Sequence, residues 1–317
     1  MTPAGEILRE EIRRSGPIRF HHFMDVALYH PEHGYYRRDR FGRQGDFFTA
    51  AQLQPVYGRL IAAMVRRWRR RMGSPDDFQV LELGPGRQEM AAAFSEWNYL
   101  PVDLGATLPA RIRGVVFANE FFDALPVEVV VCSGGELREL RVDFAGRFVW
   151  RAAGPPAPEV ERYVREILGG LPEGQTVEVN LEALRWIERI ASALEAGCLF
   201  TVDYGYTTRE RIRYPGGTLM SYRRHMASEE VLQDPGERDL TAHVCFTALE
   251  RRGQALGLRQ DRFETLAAAL LAAGEPDEFA GALAAESEAE KTRLRLQLKT
   301  LLYGMGETFR TLLLWKA

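Results

Sequence analysis

From residue 78 onward, the sequence alternates short apolar segments with helix-forming segments. Four of the apolar segments have the length and composition of buried strands: FQVLEL (78–83), NYLPVDL (98–104), GVVFAN (114–119) and CLFTVDYG (198–205). Strands that alternate with helices form parallel, doubly wound sheets, so the sequence predicts an α/β fold. Four more segments are predicted as strands, the first three in hairpins and the last at the end of the chain: VEVVVC (127–132), LRELRVDF (137–144), RFVWRA (147–152) and FRTLLLW (309–315).

Helical periodicity surrounds these strands. Apolar residues at three- and four-residue spacing predict a helix over 53–72, and an amphipathic helix is predicted from 181 to a terminating Gly197. The stretch 225–305 is mainly helical in pattern and precedes the last strand, which is typical of an insertion. The predicted organisation has four parts: an N-terminal helical and loop extension (1–76), a Rossmann-like core (77–224), a mainly helical insertion or lid (225–305) and a final core strand (306–317).

Composition excludes several classes of protein. The chain has 41 basic and 44 acidic residues, and 46% of its 317 residues are hydrophobic. This composition excludes a disordered protein. No apolar run reaches the ~20 residues that a membrane helix needs, and the first residues lack the apolar segment of a signal peptide. Cys132, Cys198 and Cys245 have no metal-ligand spacing. We therefore expect no metal site and a reducing, cytoplasmic location.

A glycine turn directly after the first apolar segment is the strongest local signal. Glu82 lies on that segment, and Gly84-Pro85-Gly86 follows it. Such a turn lets a ligand approach the backbone at the start of a helix. Glu89 takes the place of the third glycine of a dinucleotide motif, so the pattern favours S-adenosylmethionine. Asp103 ends the next segment, where a carboxylate can accept both ribose hydroxyls. A plain tight turn is the alternative interpretation.

Polar side chains also follow the two other central segments. Asn119 is the last residue of GVVFAN, Glu120 and Asp123 come after it, and Asp203 lies near the end of CLFTVDYG. Both sets are predicted at the carboxyl edge of the sheet, where doubly wound folds bind ligands. Carboxylates interleaved with phenylalanines predict a desolvated pocket in which carboxylate pKa values rise. The alternative is that Asn119 caps a helix whose first turn holds the two carboxylates.

An arginine run lies on the helix predicted over 53–72. It comprises Arg66, Arg67, Arg69, Arg70 and Arg71. Such a run is typical of nucleic-acid-binding surfaces. The opposite face of this helix is apolar, and the whole chain has a net charge of −3, so a solvated helix face is the favoured interpretation. Nucleic acid is therefore not an expected partner.

Seven motifs occur in a fixed order along the chain. They are FHHFMDVALYHPEHGYY (20–36), FGRQGDFFTA (41–50), LELGPG (81–86), ANEFFDALPV (118–127), VDYGY (202–206), GTLMSYRRH (217–225) and DLTAHVCF (239–246). In this combination the chain resembles the MidA-like family of S-adenosylmethionine-dependent methyltransferases. That family includes a mitochondrial methyltransferase that assists the assembly of respiratory complex I.

The resemblance implies a class I methyltransferase fold with an N-terminal helical extension and an inserted helical subdomain. It implies S-adenosyl-L-methionine as cofactor and a protein arginine as methyl acceptor. By position, the implied cofactor-binding residues are Glu82, Gly84, Pro85, Gly86, Asp103 and Asn119, with Gly45, Asp46 and Thr49 in a loop that closes over the cofactor.

The implied catalytic residues lie beside the methyl group that is transferred. Asn119 and Glu120 occupy that place, and Glu120 would localise the charge of the acceptor guanidinium, with Asp123 or Asp203 as its partner. A protein substrate such as a respiratory-complex subunit is the implied partner, and a homodimer is a further expectation.

Several positions depart from the family pattern. Gln52 stands where the family commonly has an acidic residue, and Cys245 stands where it has an acid or an amide. Gln88 stands where the family has a glycine, and the stretch 86–119 is shorter than usual. These departures keep two alternatives open. One is a non-catalytic assembly factor with the same fold, and the other is an RNA methyltransferase that uses the arginine run.

Overall fold

The structure is a computed structural model that describes residues 1–37, 50–103, 105–224 and 226–316. Its helices are α1 (Pro3–Ser15), α2 (Phe20–Tyr29), α3 (Val56–Arg71), α4 (Ala91–Phe94), α5 (Pro158–Glu166), α6 (Leu181–Ala193), α7 (Phe246–Ala255), α8 (Leu266–Gly274) and α9 (Glu288–Lys299). Single 3₁₀ turns lie at Tyr35–Arg37, Ala50–Gln52, Glu210–Arg213 and Glu275–Asp277, and a π-helical turn lies at Thr300–Met305.

The strands follow the predicted apolar segments closely. They are β1 (Ile18–Arg19), β2 (Gln79–Leu83), β3 (Asn98–Val102), β4 (Ile112–Asn119), β5 (Glu128–Ser133), β6 (Glu136–Phe144), β7 (Phe148–Ala152), β8 (Thr176–Val179), β9 (Leu194–Tyr206), β10 (Met220–Arg223), β11 (Met226–Ser228), β12 (Asp239–Thr241), β13 (Val244–Cys245), β14 (Arg259–Thr265) and β15 (Phe309–Lys316). Every segment named above as a strand forms one.

The chain divides into two compact units that alternate along the sequence. Within the described residues, the first unit comprises 1–37, Asp123–Arg185 and Tyr206–Ala248. The second comprises 50–122, Trp186–Gly205 and 249–316. These boundaries differ from the predicted ones at 76, 224 and 305, because each unit is assembled from separate stretches of chain that pair as strands of its own sheets.

The second unit contains the predicted parallel sheet. Its strand order is β14-β15-β9-β4-β2-β3. Strands β3, β2, β4 and β9 run parallel, which confirms the α/β fold class, whereas β15 pairs antiparallel with both β9 and β14. Strand β14 lies within the stretch predicted as a helical insertion. That stretch is therefore only partly an insertion, since β14 forms an edge of the central sheet.

A continuous apolar core lies on one face of this sheet. Helix α3 supplies Tyr57, Leu60, Ile61 and Met64, which pack with sheet residues that include Val80, Phe117 and Phe200. The spacing of these helix residues is the one that predicted the helix, so the same pattern that forms α3 also directs its apolar face onto the sheet. The first turn of α3 thereby reaches the carboxyl end of β4, where the Tyr57 hydroxyl contacts Asn119.

The first unit is built around antiparallel strands. One sheet has the order β1-β6-β5-β8, with β7 added to β6, and a second sheet has the order β11-β10-β12. The predicted hairpins are confirmed, because β5 pairs antiparallel with β6 and β6 with β7. These strands do not extend the parallel sheet that the predicted 77–224 core implied. Antiparallel hairpins close locally and form a sheet of their own.

No helix among the described residues is long and apolar enough to cross a membrane.

Candidate functional site

The carboxyl ends of β2, β3 and β4 bring the predicted cofactor residues of the second unit together. The three strands are parallel and adjacent, so their ends lie at one edge of the sheet. The backbone amide of Gly84 donates to the carbonyl of Val102 at 2.9 Å, which holds the glycine turn against the end of β3. Asp103 follows Val102 directly and is exposed. The predicted ribose-binding residue therefore lies on the exposed stretch directly after the strand end that holds the turn.

The glycine turn has a left-handed backbone. Gly84 has φ +60° and Gly86 has φ +53°, and Gln88, where the family pattern has a glycine, also has a positive φ of 58°. The expectation that the turn leads directly into a helix is wrong. Helix α4 begins only at Ala91 and has four residues, because the intervening residues form successive turns. A cofactor at this turn would contact strand ends and turn backbone rather than the N-terminus of a long helix.

Glu82 is buried just before the glycine turn. It is 4% exposed, and its carboxylate accepts a hydrogen bond of 2.5 Å from the hydroxyl of Tyr99 on β3. Burial raises the pKa of Glu82 to about 7, the Tyr99 hydrogen bond opposes that rise, and the nearby Glu89 adds to it. The side chain is thus held at the base of the turn, in a place where its charge responds to pH near neutrality.

Asn119 and Glu120 form a hydrogen-bonded group at the end of β4. The Asn119 amide nitrogen donates to the Glu120 carboxylate at 2.9 Å, and the Tyr57 hydroxyl donates to the Asn119 amide oxygen at 2.6 Å. The backbone amide of Ala50 also donates to the Glu120 carboxylate, at 3.3 Å. Burial raises the pKa of Tyr57 well above its usual value, and the charges of Glu120 and Glu82 add to this effect. Tyr57 therefore remains protonated and acts as a donor.

Glu120 has an unusual backbone conformation. Its φ is +51°, and its amide donates to the carbonyl of Val202 on β9 at 2.8 Å. Left-handed backbone at a residue other than glycine costs about 1–3 kcal/mol and occurs often at functional sites. The helix-cap alternative for Asn119 is wrong, because residues 120–127 form turns and no helix. The side chain of Glu120 is thus directed by a strained turn at the sheet edge.

Asp203 is fully buried at the end of β9 and holds the chain that follows Glu120. Its carboxylate oxygens accept hydrogen bonds from the backbone amides of Phe122, at 3.0 Å, and Tyr204, at 2.9 Å. These contacts give Asp203 a positioning role for the 119–122 turn. Asp123 belongs to the first unit, where its carbonyl accepts from the amide of Ala242 at 2.9 Å.

In the first unit, the acidic residues Asp239 and Asp123 both act on the hydroxyl of Tyr36. Tyr36 donates from its hydroxyl to Asp239 at 2.8 Å, and both Asp239 and Asp123 are buried. Burial raises the pKa of Tyr36 well above its usual value, and the charges of Asp239, Tyr29 and Asp123 raise it further. Tyr36 and Asp239 are positions that sequence reasoning did not distinguish from ordinary core residues.

The predicted loop residues Gly45, Asp46 and Thr49 lie outside the described residues. The turn that follows them is described and contains Gln52. Both amide atoms of the Gln52 side chain are buried, and neither has a hydrogen-bond partner among the described residues. An unsatisfied donor and acceptor, an exposed carboxylate at Asp103 and an open glycine turn fit a cofactor that carries amino, carboxylate and ribose hydroxyl groups.

The arginine run on α3 is largely engaged within the second unit. Arg66 pairs with Glu96, and Arg71 pairs with Asp261 and lies over the ring of Trp315. Arg67 donates to the carbonyl of Ala272 and Arg69 to that of Pro75. These contacts favour a structural role for the run over nucleic-acid binding. Across the described residues, no group of His, Cys, Asp or Glu is arranged to hold a metal ion.

Neither Tyr57 nor Tyr99 is recognisable as a site residue from the sequence. Tyr57 lies in the apolar stripe of α3, and Tyr99 lies in an apolar strand. Both patterns are typical of core packing, and only the register between strands and helix reveals that each hydroxyl reaches a carboxylate or an amide at the sheet edge.

Comparison with known proteins gives a consistent result. The model of an S-adenosyl-L-methionine-dependent methyltransferase family matches residues 93–264, which is more than half of the chain. A Drosophila melanogaster protein named as a mitochondrial protein arginine methyltransferase NDUFAF7 homolog is 29% identical, over 79% of this chain and 70% of its own length. The human NDUFAF7 protein is 27% identical, over 80% of this chain and 69% of its own length.

Solved structures agree with these sequence matches. The crystal structure of a Burkholderia thailandensis protein bound to S-adenosyl-homocysteine has a TM-score of 0.88 and 28% identity, and the match covers 99% of this chain and 92% of that one. A native crystal structure from the same organism has a TM-score of 0.84 and 27% identity, with 99% and 91% of the two chains covered.

Proposed function

Because the chain belongs to the family of S-adenosyl-L-methionine-dependent methyltransferases, we propose that its methyl acceptor is an arginine of a partner protein. Family membership confirms the cofactor and the class of enzyme that the sequence predicted. The arginine acceptor is supported by relatives from Drosophila and human that are named protein arginine methyltransferases. The observation that carries the proposal is the oriented carboxylate of Glu120 at the carboxyl edge of the sheet.

An arginine acceptor poses a specific chemical problem, which Glu120 can solve. The guanidinium is protonated at any working pH, so none of its nitrogens is a free nucleophile. A carboxylate that pairs with one side of the group localises the positive charge there and leaves electron density on the opposite nitrogen. Asn119 and the amide of Ala50 fix the Glu120 carboxylate from their side, and the strained turn fixes its backbone.

The cofactor, when bound, supplies an electrophilic methyl group on a sulfonium. We assign its binding to the glycine turn, Asp103 and Glu82. Asn119 ends β4, the strand that pairs with β2, and donates to Glu120. Alignment of acceptor and methyl is the main contribution of the protein, and such positioning is worth roughly 7–11 kcal/mol. Tyr57 and Asp203 contribute by holding Asn119 and the turn after Glu120 in place.

The acceptor can be identified directly. Purified protein is incubated with isotopically labelled S-adenosylmethionine and an extract of its source organism, and labelled proteins are digested and analysed by mass spectrometry. We expect label on methylarginine in a small number of proteins. Label confined to RNA, or to lysine or carboxyl groups of proteins, would contradict the arginine proposal while leaving the methyltransferase class intact.

The role of Glu120 is tested with Glu120→Gln once an acceptor is known. We expect turnover to fall at least ~100-fold, the lower range for an acid–base group, with little change in cofactor affinity. Glu195→Gln is the matched control, because it makes the same substitution near the start of β9. Glu120 contacts the backbone of β9 at Val202, seven residues further along that strand. Turnover of E120Q within about tenfold of the wild type would refute the assignment.

Three further expectations stay proposals. A respiratory-complex subunit is a candidate acceptor, and a homodimer is a candidate assembly that size-exclusion chromatography with light scattering would detect. We also retain the cytoplasmic location, although the relatives from Drosophila and human are named mitochondrial proteins. Fractionation of the source cells, with antibody detection of this chain, distinguishes the two compartments.

A further inference from the structure

Tyr99 and Glu82 join the two strands that carry the cofactor-binding groups. In the parallel register of β2 and β3, Val80 lies opposite Tyr99 and Glu82 lies opposite Pro101. The hydroxyl of Tyr99 reaches diagonally to the Glu82 carboxylate at 2.5 Å. Beyond this hydrogen bond, β2 continues into the glycine turn and β3 continues to Asp103. The pair therefore fixes the spacing of these two halves of the site immediately below the cofactor position.

The surroundings of Glu82 are poor in compensating charge. Tyr99 faces it from β3, Glu89 acts on it from the glycine turn, and its own charge acts on Tyr57 of α3. Phe117 lies opposite it on β4. Within the part of the chain that the structure describes, the Tyr99 hydroxyl is the single side-chain donor to its carboxylate, and no ion pair involves Glu82. A positive ligand is thus the natural counter-charge for this carboxylate.

We propose that Tyr99 is a positioning residue of the cofactor site, which holds Glu82 in its charged form so that the glycine turn binds the cationic cofactor. This inference rests on cofactor binding at this sheet edge. The cofactor is positively charged at its sulfonium, and a buried carboxylate attracts such a charge more strongly than an exposed one, because less water screens it. Protonation of Glu82 therefore weakens binding of the cofactor, and removal of the Tyr99 hydroxyl favours that protonation.

The balance lies close to neutral pH. Burial raises the pKa of Glu82 to about 7, so about half of the side chains are charged at that pH. If the charged form is the one that binds well, the apparent dissociation constant tightens about tenfold from pH 6 to pH 8, in proportion to the charged fraction. By reciprocity, the bound cofactor lowers the pKa of Glu82.

The experiment measures the affinity for S-adenosylmethionine by calorimetry between pH 6 and pH 8. It compares the wild type with Tyr99→Phe, Glu82→Gln and, as a control, Tyr303→Phe, whose ring is 78% exposed on the Thr300–Met305 turn of the same unit. A second readout is the ¹³C chemical shift of the Glu82 carboxyl carbon in the free protein, assigned by its absence from E82Q. That titration reports the charge of Glu82 without any ligand.

We expect the Glu82 titration of Y99F to move to higher pH and its affinity at pH 7 to be about fivefold weaker, as for a pKa rise of about one unit. E82Q should bind weakly throughout and lack the tenfold change, whereas Y303F should match the wild type. Equal affinity profiles for Y99F and the wild type would overturn this inference alone. Failure of the wild type to bind the cofactor at any pH would overturn both this inference and the proposed function.

Discussion

Replacement of Gly84 by alanine tests whether the glycine turn is built as the structure indicates. Gly84 has φ +60°, and a Cβ added there would lie 2.9 Å from Cδ2 of Phe121, too close for a carbon–carbon contact. The Phe121 ring has little room to move. It is 4% exposed and packs edge-on against Phe122 and Trp186, with centroid distances of 5.3 and 5.1 Å.

The expected loss of stability has two separable parts. The left-handed backbone costs an alanine about 1–2 kcal/mol. Overpacking against an immobile ring adds typically 1–3 kcal/mol, so G84A should be destabilised by about 2–5 kcal/mol in all. Gly134→Ala is the matched control, because Gly134 has φ +65° and a Cβ there meets nothing within 4 Å among the described residues. G134A should therefore show the backbone part alone.

The assay is urea unfolding followed by tryptophan fluorescence, combined with calorimetric titration of S-adenosylmethionine. G84A should lose more stability than G134A and should also bind the cofactor more weakly, because the ring displaced by the new Cβ belongs to the chain that follows Glu120. G134A should bind normally. Equal unfolding free energies for the two variants, or unchanged affinity in G84A, would refute the proposed geometry of the turn.

Two further changes probe the same edge of the sheet. Tyr57→Phe removes the hydroxyl that donates to Asn119 at 2.6 Å. Methyl transfer should therefore slow about tenfold, while the cofactor dissociation constant changes less than twofold. An equal loss of turnover and of cofactor affinity would contradict a role of Tyr57 in orienting Asn119. Glu82→Gln should alter the pH dependence of stability, because the pKa of Glu82 is about 7 in the folded state and 4.5 in the unfolded state. The free energy of unfolding of the wild type should therefore fall by roughly 3 kcal/mol as pH rises from below 4.5 to above 7. E82Q should lack this fall, which urea unfolding at a series of pH values measures.

Local pattern was sufficient to predict the parallel sheet and the convergence of polar residues at its carboxyl edge. The segments 78–83, 114–119 and 198–205 are apolar strands. The glycine turn follows the first, Glu120 follows the second and Asp203 lies near the end of the third, so their convergence at one edge follows from parallel pairing alone. Asn119, Glu120 and Asp203 meet there because adjacent strand ends must do so. The carboxylates of Glu120 and Asp203 also accept hydrogen bonds from backbone amides, which their spacing along the sequence does not predict.

Long-range pairing explains what the sequence did not reveal. Strand β14 is an edge strand with four exposed residues at its start, so it lacks the apolar run by which the other strands were recognised. Its stretch was therefore predicted as part of a helical insertion. Similarly, β5 and β6 contain apolar residues that are compatible with either sheet. Their pairing with each other and with β1 and β8 places them in the first unit, and this long-range pairing is not visible in the local sequence.

The two costly features of the fold lie at the same edge, and each has a compensation that points to function. Glu120 keeps a left-handed backbone because Val202, Asn119 and Ala50 all bond to it, so the strain directs a carboxylate outward from the end of β4. Glu82 keeps a buried carboxyl that weakens the folded state when charged, and it is stabilised by one hydroxyl rather than by a cation of the protein. A chain selected for stability alone would replace both residues. Their presence is explained if Glu82 receives the sulfonium of the bound cofactor and Glu120 receives the guanidinium of the acceptor, so that binding recovers the free energy that folding gave up.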